Sequence, residues 1–335
     1  MSAQIHDDLV TRDAQWLLEQ PLKVMPWIVE SLLPVGLILL VGAPKTGKSW
    51  FALQLAICLS LGLPFLGFAT IQADVLYLCL EDTFARIQQR LFKLTDEANG
   101  ALHFAISAGK LQSNLLEQLE KFLTIYPATK LIILDTFQTV RGCSNDNAYA
   151  SDYTDLGMLK RFADEHAITL LVVHHTRKMG SADIFDTVSG TTGITGSADQ
   201  TMVLARVNRC DGSATLSVTG RDVEYAEYKL RFNNCRWEMV EKVSREELEE
   251  RDVPPAVLTV LDFMSMRTMG WCGTATELIA AANIEDIKPN VLAKFLNEHR
   301  QFLHDRGIEY TRQTTPTARL MYFDKPEVNP GETNA

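Results

Sequence analysis

The residues best suited to chemistry form a short glycine-containing segment in the first sixth of the chain. Residues 42 to 49 read Gly-Ala-Pro-Lys-Thr-Gly-Lys-Ser and match the pattern GxxxxGK[ST]. Gly42 and Gly47 let the backbone curl, so that successive N–H groups face inward and can bind an anion. Lys48 would reach the β- and γ-phosphates of a nucleotide, and the Ser49 hydroxyl would be a ligand of Mg²⁺. The segment therefore predicts a P-loop that binds ATP with Mg²⁺.

The predicted nucleotide-binding residues are all nine positions from the first glycine of the motif to the residue after the serine. They are Gly42, Ala43, Pro44, Lys45, Thr46, Gly47, Lys48, Ser49 and Trp50.

Acidic residues follow two of the apolar runs downstream. Asp135 ends the run LIIL and, with the P-loop upstream, is expected to hold Mg²⁺ through its water shell. Glu81 ends the strand predicted after the P-loop helix, so we expect it to orient or deprotonate the attacking water. Asp82 is the alternative for that role. A Glu-Asp helix start is the other interpretation, because Asp82 and Thr83 both suit a helix cap.

The elements that must position these groups alternate between short apolar runs and helix-patterned segments. Strands are predicted at 37–41, 75–80, 131–134 and 169–173, and helices at 49–61, 83–94, 115–123 and 153–166. This alternation is typical of an α/β domain with a parallel sheet and right-handed crossovers. The polar groups then lie at the carboxyl ends of strands, where open α/β sheets bind ligands. Between 202 and 232, shorter alternating runs predict antiparallel strands added to the sheet edge.

A second, smaller domain is predicted after the charged stretch 241–254, which is interpreted as a linker because it ends in prolines. Beyond it, three helix patterns are followed by a predicted hairpin at 308–323, and Thr274 with Glu277 forms a capping box. Three helices and a hairpin predict a winged helix at 255–330, which would bind duplex DNA or a partner protein.

Composition limits the classes of function. The chain has 335 residues, a net charge of −10 and a pI near 5.3. A broad nucleic-acid-coating surface is therefore disfavoured, and any DNA contact should be local. No uncharged apolar run approaches the ~18 residues needed to cross a bilayer, and the acidic start lacks the pattern of a secretory signal, so a cytoplasmic protein is expected. The six cysteines include no CxxC pair, so neither a zinc site nor a disulfide framework is predicted.

In combination, these motifs resemble those of the RecA-like hexameric helicase superfamily. The resemblance is to plasmid RepA-type helicases and their AAA family ATPase relatives, and more distantly to DnaB. GAPKTGKS is similar to the first motif of these helicases and LCLED to their glutamate motif. LIILDTFQTV is similar to the stretch in which an Asp is followed by a Gln, here Asp135 and Gln138. The resemblance covers about 26–232 and implies a RecA-like ATPase domain, placed at 26–240 after an N-terminal segment at 1–25. It also implies a homo-oligomer, expected to be a hexamer, with single-stranded DNA in a central channel.

Three further roles come from the resemblance. His175 matches the strand-end position that senses the γ-phosphate, with a structural histidine as the alternative. The loop 181–197 matches the DNA-facing loop, with Arg177 and Lys178 as phosphate contacts; a surface loop with incidental charge is the alternative. Arg221 in VTGRDVE matches the arginine that reaches the ATP of the neighbouring subunit, with a surface arginine on a β-turn as the alternative.

The chain differs from the family in two respects. It lacks the large N-terminal domain of DnaB, and it carries a C-terminal extension that RepA-type helicases do not have. These departures leave open a helicase loader or a KaiC-like regulatory ATPase that does not unwind DNA.

Overall fold

The chain divides after Lys242 into two units, here called unit 1 (Met1–Lys242) and unit 2 (Val243–Ala335). The structure is a computed structural model, and it describes residues 12–21, 26–97, 99–141, 148–175, 185, 196–206, 212–251, 253–316 and 318–324. Two apolar clusters form the core of unit 1, and a third forms the core of unit 2.

Unit 1 alternates strands and helices up to its seventh strand and continues with strands alone. Its strands are β1 (Trp27–Val29), β2 (Leu33–Pro34), β3 (Gly36–Gly42), β4 (Asp74–Cys79), β5 (Leu102–Ala105), β6 (Thr129–Asp135), β7 (Thr169–His175), β8 (Gln200–Arg206), β9 (Ser213–Gly220), β10 (Ala226–Asn233) and β11 (Arg236–Lys242). Its helices are α1 (Ala14–Glu19), α2 (Lys48–Leu61), α3 (Phe84–Leu94), α4 (Leu115–Ile125), α5 (Phe137–Val140) and α6 (Ala148–His166).

Nine strands of unit 1 form one sheet in the order β11-β10-β9-β8-β3-β7-β6-β4-β5. The six strands from β8 to β5 run parallel, and β9, β10 and β11 continue the sheet in antiparallel pairs. The predicted class, a parallel RecA-like sheet extended by antiparallel strands, is confirmed.

Both faces of the sheet are covered, which explains why its central strands are continuously apolar. All seven residues of β3 are buried. Because side chains alternate along a strand, Ile38 and Leu40 pack in one cluster with Phe51 of α2, whereas Leu37 and Leu39 pack in the other with helix α6. The buried sheet thus holds the carboxyl ends of β3, β6 and β7 at one edge.

Three expectations about this region need correction. The run 202–206 is not simply antiparallel: β8 pairs parallel with β3 and antiparallel with β9, because it is the strand at which the sheet changes direction. The strand β11 follows a two-residue turn after β10 and is absent from the sequence prediction. The stretch 241–254 is not simply a linker, since it contains the helix α7 (Arg245–Arg251) and two buried residues, Val243 and Val253.

Unit 2 contains the helices and the hairpin expected from its sequence. After α7 come α8 (Pro255–Ser265), β12 (Trp271–Thr274), α9 (Ala275–Ala281), α10 (Pro289–Glu298), α11 (Arg300–Asp305), β13 (Glu309–Thr314) and β14 (Arg319–Asp324). Both bonds of the predicted capping box are present at the start of α9. The short strand β12, which the sequence pattern does not predict, completes a three-stranded sheet of order β12-β14-β13. The winged helix stays an interpretation of these elements.

The predicted DNA-facing loop lies almost entirely outside the described residues. Of the loop 181–197, the structure describes Phe185, Gly196 and Ser197, and it does not describe Arg177 or Lys178. Among the described residues, none of the helices is both long enough and apolar enough to span a membrane.

Candidate nucleotide-binding site

The loop between β3 and α2 has a backbone shaped to bind an anion. Lys45 and Gly47 have φ angles of 65° and 102°, which turn successive N–H groups toward one side of the loop. Gly47 is also the N-cap of α2, and no side chain caps this helix end. The first N–H groups of a helix have no partner within the helix, and its dipole is positive there. These groups fit a phosphate.

Two close contacts explain why glycine is needed at each end of this loop. A Cβ atom at Gly42 would lie 2.5 Å from the carbonyl oxygen of Leu204, and one at Gly47 would lie 2.8 Å from the Trp237 ring. The Trp237 indole Nε1 donates a hydrogen bond of 3.1 Å to the Gly47 carbonyl. The Gln54 side chain bonds both the N–H and the carbonyl of Trp237. Strand β11 therefore supports the loop from behind.

The Lys48 ammonium group is buried inside the loop and is held there by neutral acceptors. Its Nζ donates to the carbonyls of Gly42 at 2.7 Å and Ala43 at 3.0 Å, and lies 3.1 Å from His175 Nδ1. Burial lowers the pKa of Lys48 to about 8, although the charges of Asp135 and Glu81 oppose this shift. A bound phosphate would offer this cation an anionic partner that the carbonyls do not provide.

Asp135 lies beside Ser49, so two oxygen ligands of the kind Mg²⁺ prefers are close together. The Asp135 carboxylate accepts a hydrogen bond from the Tyr77 hydroxyl at 2.9 Å and another from Ser49. Burial raises the pKa of Asp135, and these two hydrogen bonds and Lys48 oppose the rise. The donor set of Ser49 and Asp135 fits a magnesium ion.

The structure distinguishes between Glu81 and Asp82. The Thr136 hydroxyl donates to Glu81 Oε1 at 2.8 Å, and Glu81 lines the cleft. Asp82 instead pairs with two guanidinium groups, those of Arg86 at 2.9 Å and Arg90 at 2.6 Å. A carboxylate engaged by two cations is a poor proton acceptor. The geometry therefore favours Glu81 as the base.

The two histidines at the end of β7 point to different surroundings. His175 contacts Lys48 in the cleft, and burial together with the Lys48 charge lowers the His175 pKa. His174 is buried and packs edge-on against Phe137, with ring centroids 5.8 Å apart. Consecutive side chains of a strand face opposite sides, so only His175 reaches the site.

A cleft of about 510 Å³ joins these groups. Six of the nine predicted nucleotide-binding residues line it, and the other three, Gly42, Ala43 and Thr46, belong to the loop behind them. The lining residues are Pro44, Lys45, Gly47, Lys48, Ser49, Trp50, Glu81, Arg90, Asp135, Thr136, His175, Arg206 and Phe232.

Four of the lining residues were missed from the sequence: Arg90, Thr136, Arg206 and Phe232. The Arg206 guanidinium lies 5.0 Å from the centre of the Phe232 ring and 5.3 Å from that of Trp237, and its Nε donates to the Thr46 carbonyl at 3.1 Å. The only signal for Arg206 was its place at the end of an apolar run, and that signal depends on knowing that β8 runs parallel to β3.

Arg221 does not lie in this cleft. It follows Gly220, which pairs with Gln200 at the start of β8, and Gln200 pairs with Ile38 near the start of β3. Arg221 is therefore at the edge of the sheet opposite the P-loop. Its side chain is 56% exposed, donates to the Gly196 carbonyl at 3.1 Å and lies 3.9 Å from the Asp199 carboxylate.

Comparison with known proteins gives one family and one fold. A protein-family profile described as AAA domain matches residues 6–181. No curated protein matches the chain. Among solved structures, one of an isolated ATPase domain is 14% identical and aligns over 62% of this chain and 85% of its own, with a TM-score of 0.50.

A second solved structure, of a DnaB-like replicative helicase and its interactions with primase, is also 14% identical. It aligns over 62% of this chain but only 57% of its own length, with a TM-score of 0.50. At these identities the likeness shows the fold, which is the one that these ATPase domains share.

The lowered pKa of Lys48 predicts how nucleotide affinity depends on pH. Only the protonated amine attracts phosphate, so the Kd for a non-hydrolysable ATP analogue should be flat below the Lys48 pKa of about 8 and rise above it. Between pH 7 and pH 9 we expect about tenfold weaker binding, measured by calorimetry. In Lys48→Arg, the guanidinium stays charged and the dependence should disappear. The same weakening in Lys48→Arg would contradict this origin.

Proposed function

Because the chain belongs to the AAA domain family, we propose that it is a helicase-like ATPase that converts ATP and water into ADP and phosphate. One observation carries the proposal. Lys48, Ser49, Asp135 and Glu81 come from separate parts of the sequence, and all four line a single cleft at the carboxyl edge of the sheet. They are the cation, the two magnesium ligands and the base that phosphoryl transfer to water requires.

Each of these groups has a distinct task. Lys48 binds the β- and γ-phosphates, while the inward-facing N–H groups of the loop hold them in place. Ser49 directly, and Asp135 through water, would hold Mg²⁺, which when bound neutralises charge on the phosphates. His175 is hydrogen-bonded to Lys48, so it is placed to respond when the lysine turns from its carbonyl acceptors to the γ-phosphate.

Glu81 acts on the attacking water. The water oxygen forms a bond to the γ-phosphorus, the bond from that phosphorus to the oxygen bridging to the β-phosphate breaks, and the Glu81 carboxylate takes the proton of the water. The Thr136 hydroxyl fixes one Glu81 oxygen, so the other can face the water.

Arg206 and Phe232 are suited to hold the base of the nucleotide. Both line the cleft, and each offers a flat surface on which a purine can stack. Arg206 is anchored to the phosphate loop through the Thr46 carbonyl, so the base and the phosphates would be positioned by one connected set of contacts.

The position of Arg221 supports an assembly in which it acts on a neighbouring subunit. It lies at the opposite edge of the sheet from its own cleft and is exposed, as a residue that completes a neighbour's site must be. We infer a homo-oligomer, a hexamer by its likeness to RecA-like helicases, with single-stranded DNA in the central channel at the loop 181–197.

The biological setting follows from that assembly. The oligomer would be a RepA-like replicative helicase of a plasmid, phage or integrated element. A helicase loader or KaiC-like regulatory ATPase is the alternative, and stimulation of ATP hydrolysis by single-stranded DNA would favour the motor.

Glu81→Gln should retain ATP binding but lose turnover by at least about a hundredfold, because the amide fills the same space without accepting a proton. Asp82→Asn is the matched control, since it makes the same change in the adjacent carboxylate, which is paired with arginines. The measurement is kcat together with the Kd for ATP in both variants. Equal losses of kcat would contradict the assignment of Glu81.

Arg221→Ala should depress turnover by roughly 10³–10⁵ while leaving ATP binding nearly intact, because the charge it stabilises develops in the transition state. Mixing tests whether it acts in trans. When Arg221→Ala subunits are combined with Glu81→Gln subunits, an interface that pairs an intact base with an intact arginine should recover hydrolysis. No recovery in mixed oligomers shown to form would favour a structural role for Arg221.

A further inference from the structure

Three arginines in unit 2 carry charge that no carboxylate of the described residues neutralises. Arg300 begins α11, and Arg312 and Arg319 lie on the hairpin of β13 and β14; all three are exposed. In the part of the chain that the structure describes, none of them forms an ion pair within 4.0 Å. Arg306 differs, because it pairs with Glu250 at 2.6 Å.

The pairing register places the two hairpin arginines on one face. Arg312 is opposite Met321, and two residues further along, Thr314 is opposite Arg319. Residues two apart on a strand share a face, so both arginines lie on the side of the sheet that carries buried Met321.

Arg300 lies near the same place. Burial raises the pKa of Tyr310, and the charges of Arg312 and Arg300 act against that rise, so both guanidinium groups lie near the phenol. The Tyr310 side chain is 1% exposed, and its hydroxyl has no hydrogen-bond partner among the described residues. A ligand with acceptor oxygens would satisfy the charges and could also reach this hydroxyl.

Like charges gathered on one face are unfavourable unless something offsets them. A phosphate is the anion that guanidinium groups match best, because two parallel N–H groups can bind two of its oxygens. A row of phosphates would suit three arginines spread over a helix end and a hairpin better than a single anion.

The helix next to this cluster presents a polar face. Asn290, Lys294 and Asn297 are exposed and follow one another at spacings of four and three, so they lie on one side of α10. The opposite side carries buried Leu292 and Leu296. Asn and Lys are side chains that bind base edges in the major groove of DNA.

Charge and apolar surface are both distributed in favour of DNA over a protein at this face. Residues 288–324 contain six Lys or Arg against four Asp or Glu, whereas 243–287 contain three against nine. The large apolar side chains most exposed in the described part of unit 2, Met266 and Met269, lie in the acidic segment instead. A protein-docking face would have apolar residues at its centre.

We propose that unit 2 binds duplex DNA through this face, with α10 directed into the major groove and Arg300, Arg312 and Arg319 on the phosphate backbone. The binding extends the proposed function to a second DNA contact, but it does not require the chemistry at Lys48.

The test compares two triple variants of the full chain. The first replaces Arg300, Arg312 and Arg319 by Gln. The second replaces Arg245, Arg251 and Arg267 by Gln, which removes the same charge from the acidic segment of the same unit. Fluorescence anisotropy with a labelled random-sequence duplex of about 20 base pairs, without nucleotide, gives Kd from about 50 to 200 mM salt.

Each phosphate contact adds about 0.9 to the slope of log K against log salt. The first variant should therefore lose about 2 to 3 from the slope and bind at least about tenfold more weakly, and the second should match the unmodified protein. Arg312→Lys should keep the slope, since the charge remains. Basal ATP hydrolysis, measured on the same samples, should be unchanged in all three variants and reports that they are folded.

Two results would overturn the proposal: no duplex binding by the unmodified protein, or equal losses in the two triple variants. These outcomes are separate from those of the proposed function. Absence of ATP hydrolysis with duplex binding as expected would contradict the ATPase and leave the DNA-binding face in place.

Discussion

Burial of the Lys48 ammonium group at the end of a parallel sheet is the interaction on which the rest of the site depends. A charge taken out of water is costly unless partners compensate for it. Here two carbonyls and a histidine nitrogen do so at close range, and Asp135 and Glu81 do so at longer range. A nucleotide would replace neutral acceptors with phosphate oxygens, so the same buried cation that costs free energy in the empty loop becomes the centre of a binding site.

The sheet order explains how these partners come together. β3 lies between β7 and β8, and β6 lies beyond β7, so their carboxyl ends bring the loop, His175 and Asp135 to one edge. The antiparallel strands then return to the same edge. β10 brings Phe232 and β11 brings Trp237, which packs against Gly47 and accounts for the need for glycine there. The strands most remote from the loop in sequence are thus part of the phosphate site.

Much of this was predictable, for reasons that are local. The GxxxxGK[ST] motif has a fixed spacing, and a buried parallel strand is a continuous apolar run, so the loop, Asp135 and Glu81 could be located from the sequence. Arg206, Phe232 and Trp237 could not, because their role depends on the register of β8, β10 and β11, which no local pattern specifies. Likewise, the choice of Glu81 over Asp82 depends on contacts with Thr136 and Arg90, which the sequence alone does not reveal.

Two lysines of one loop allow the most direct test of the account. Lys48 is buried against the carbonyls of the loop, while Lys45, three residues earlier, is exposed. The measurement is steady-state release of phosphate from ATP by Lys48→Ala and Lys45→Ala, with each protein shown to be folded by circular dichroism. The account predicts that Lys48→Ala loses hydrolysis by orders of magnitude because the transferred phosphoryl group loses its main positive partner, and that Lys45→Ala stays within about tenfold of the unmodified protein. Near-normal hydrolysis by folded Lys48→Ala would contradict the site as described.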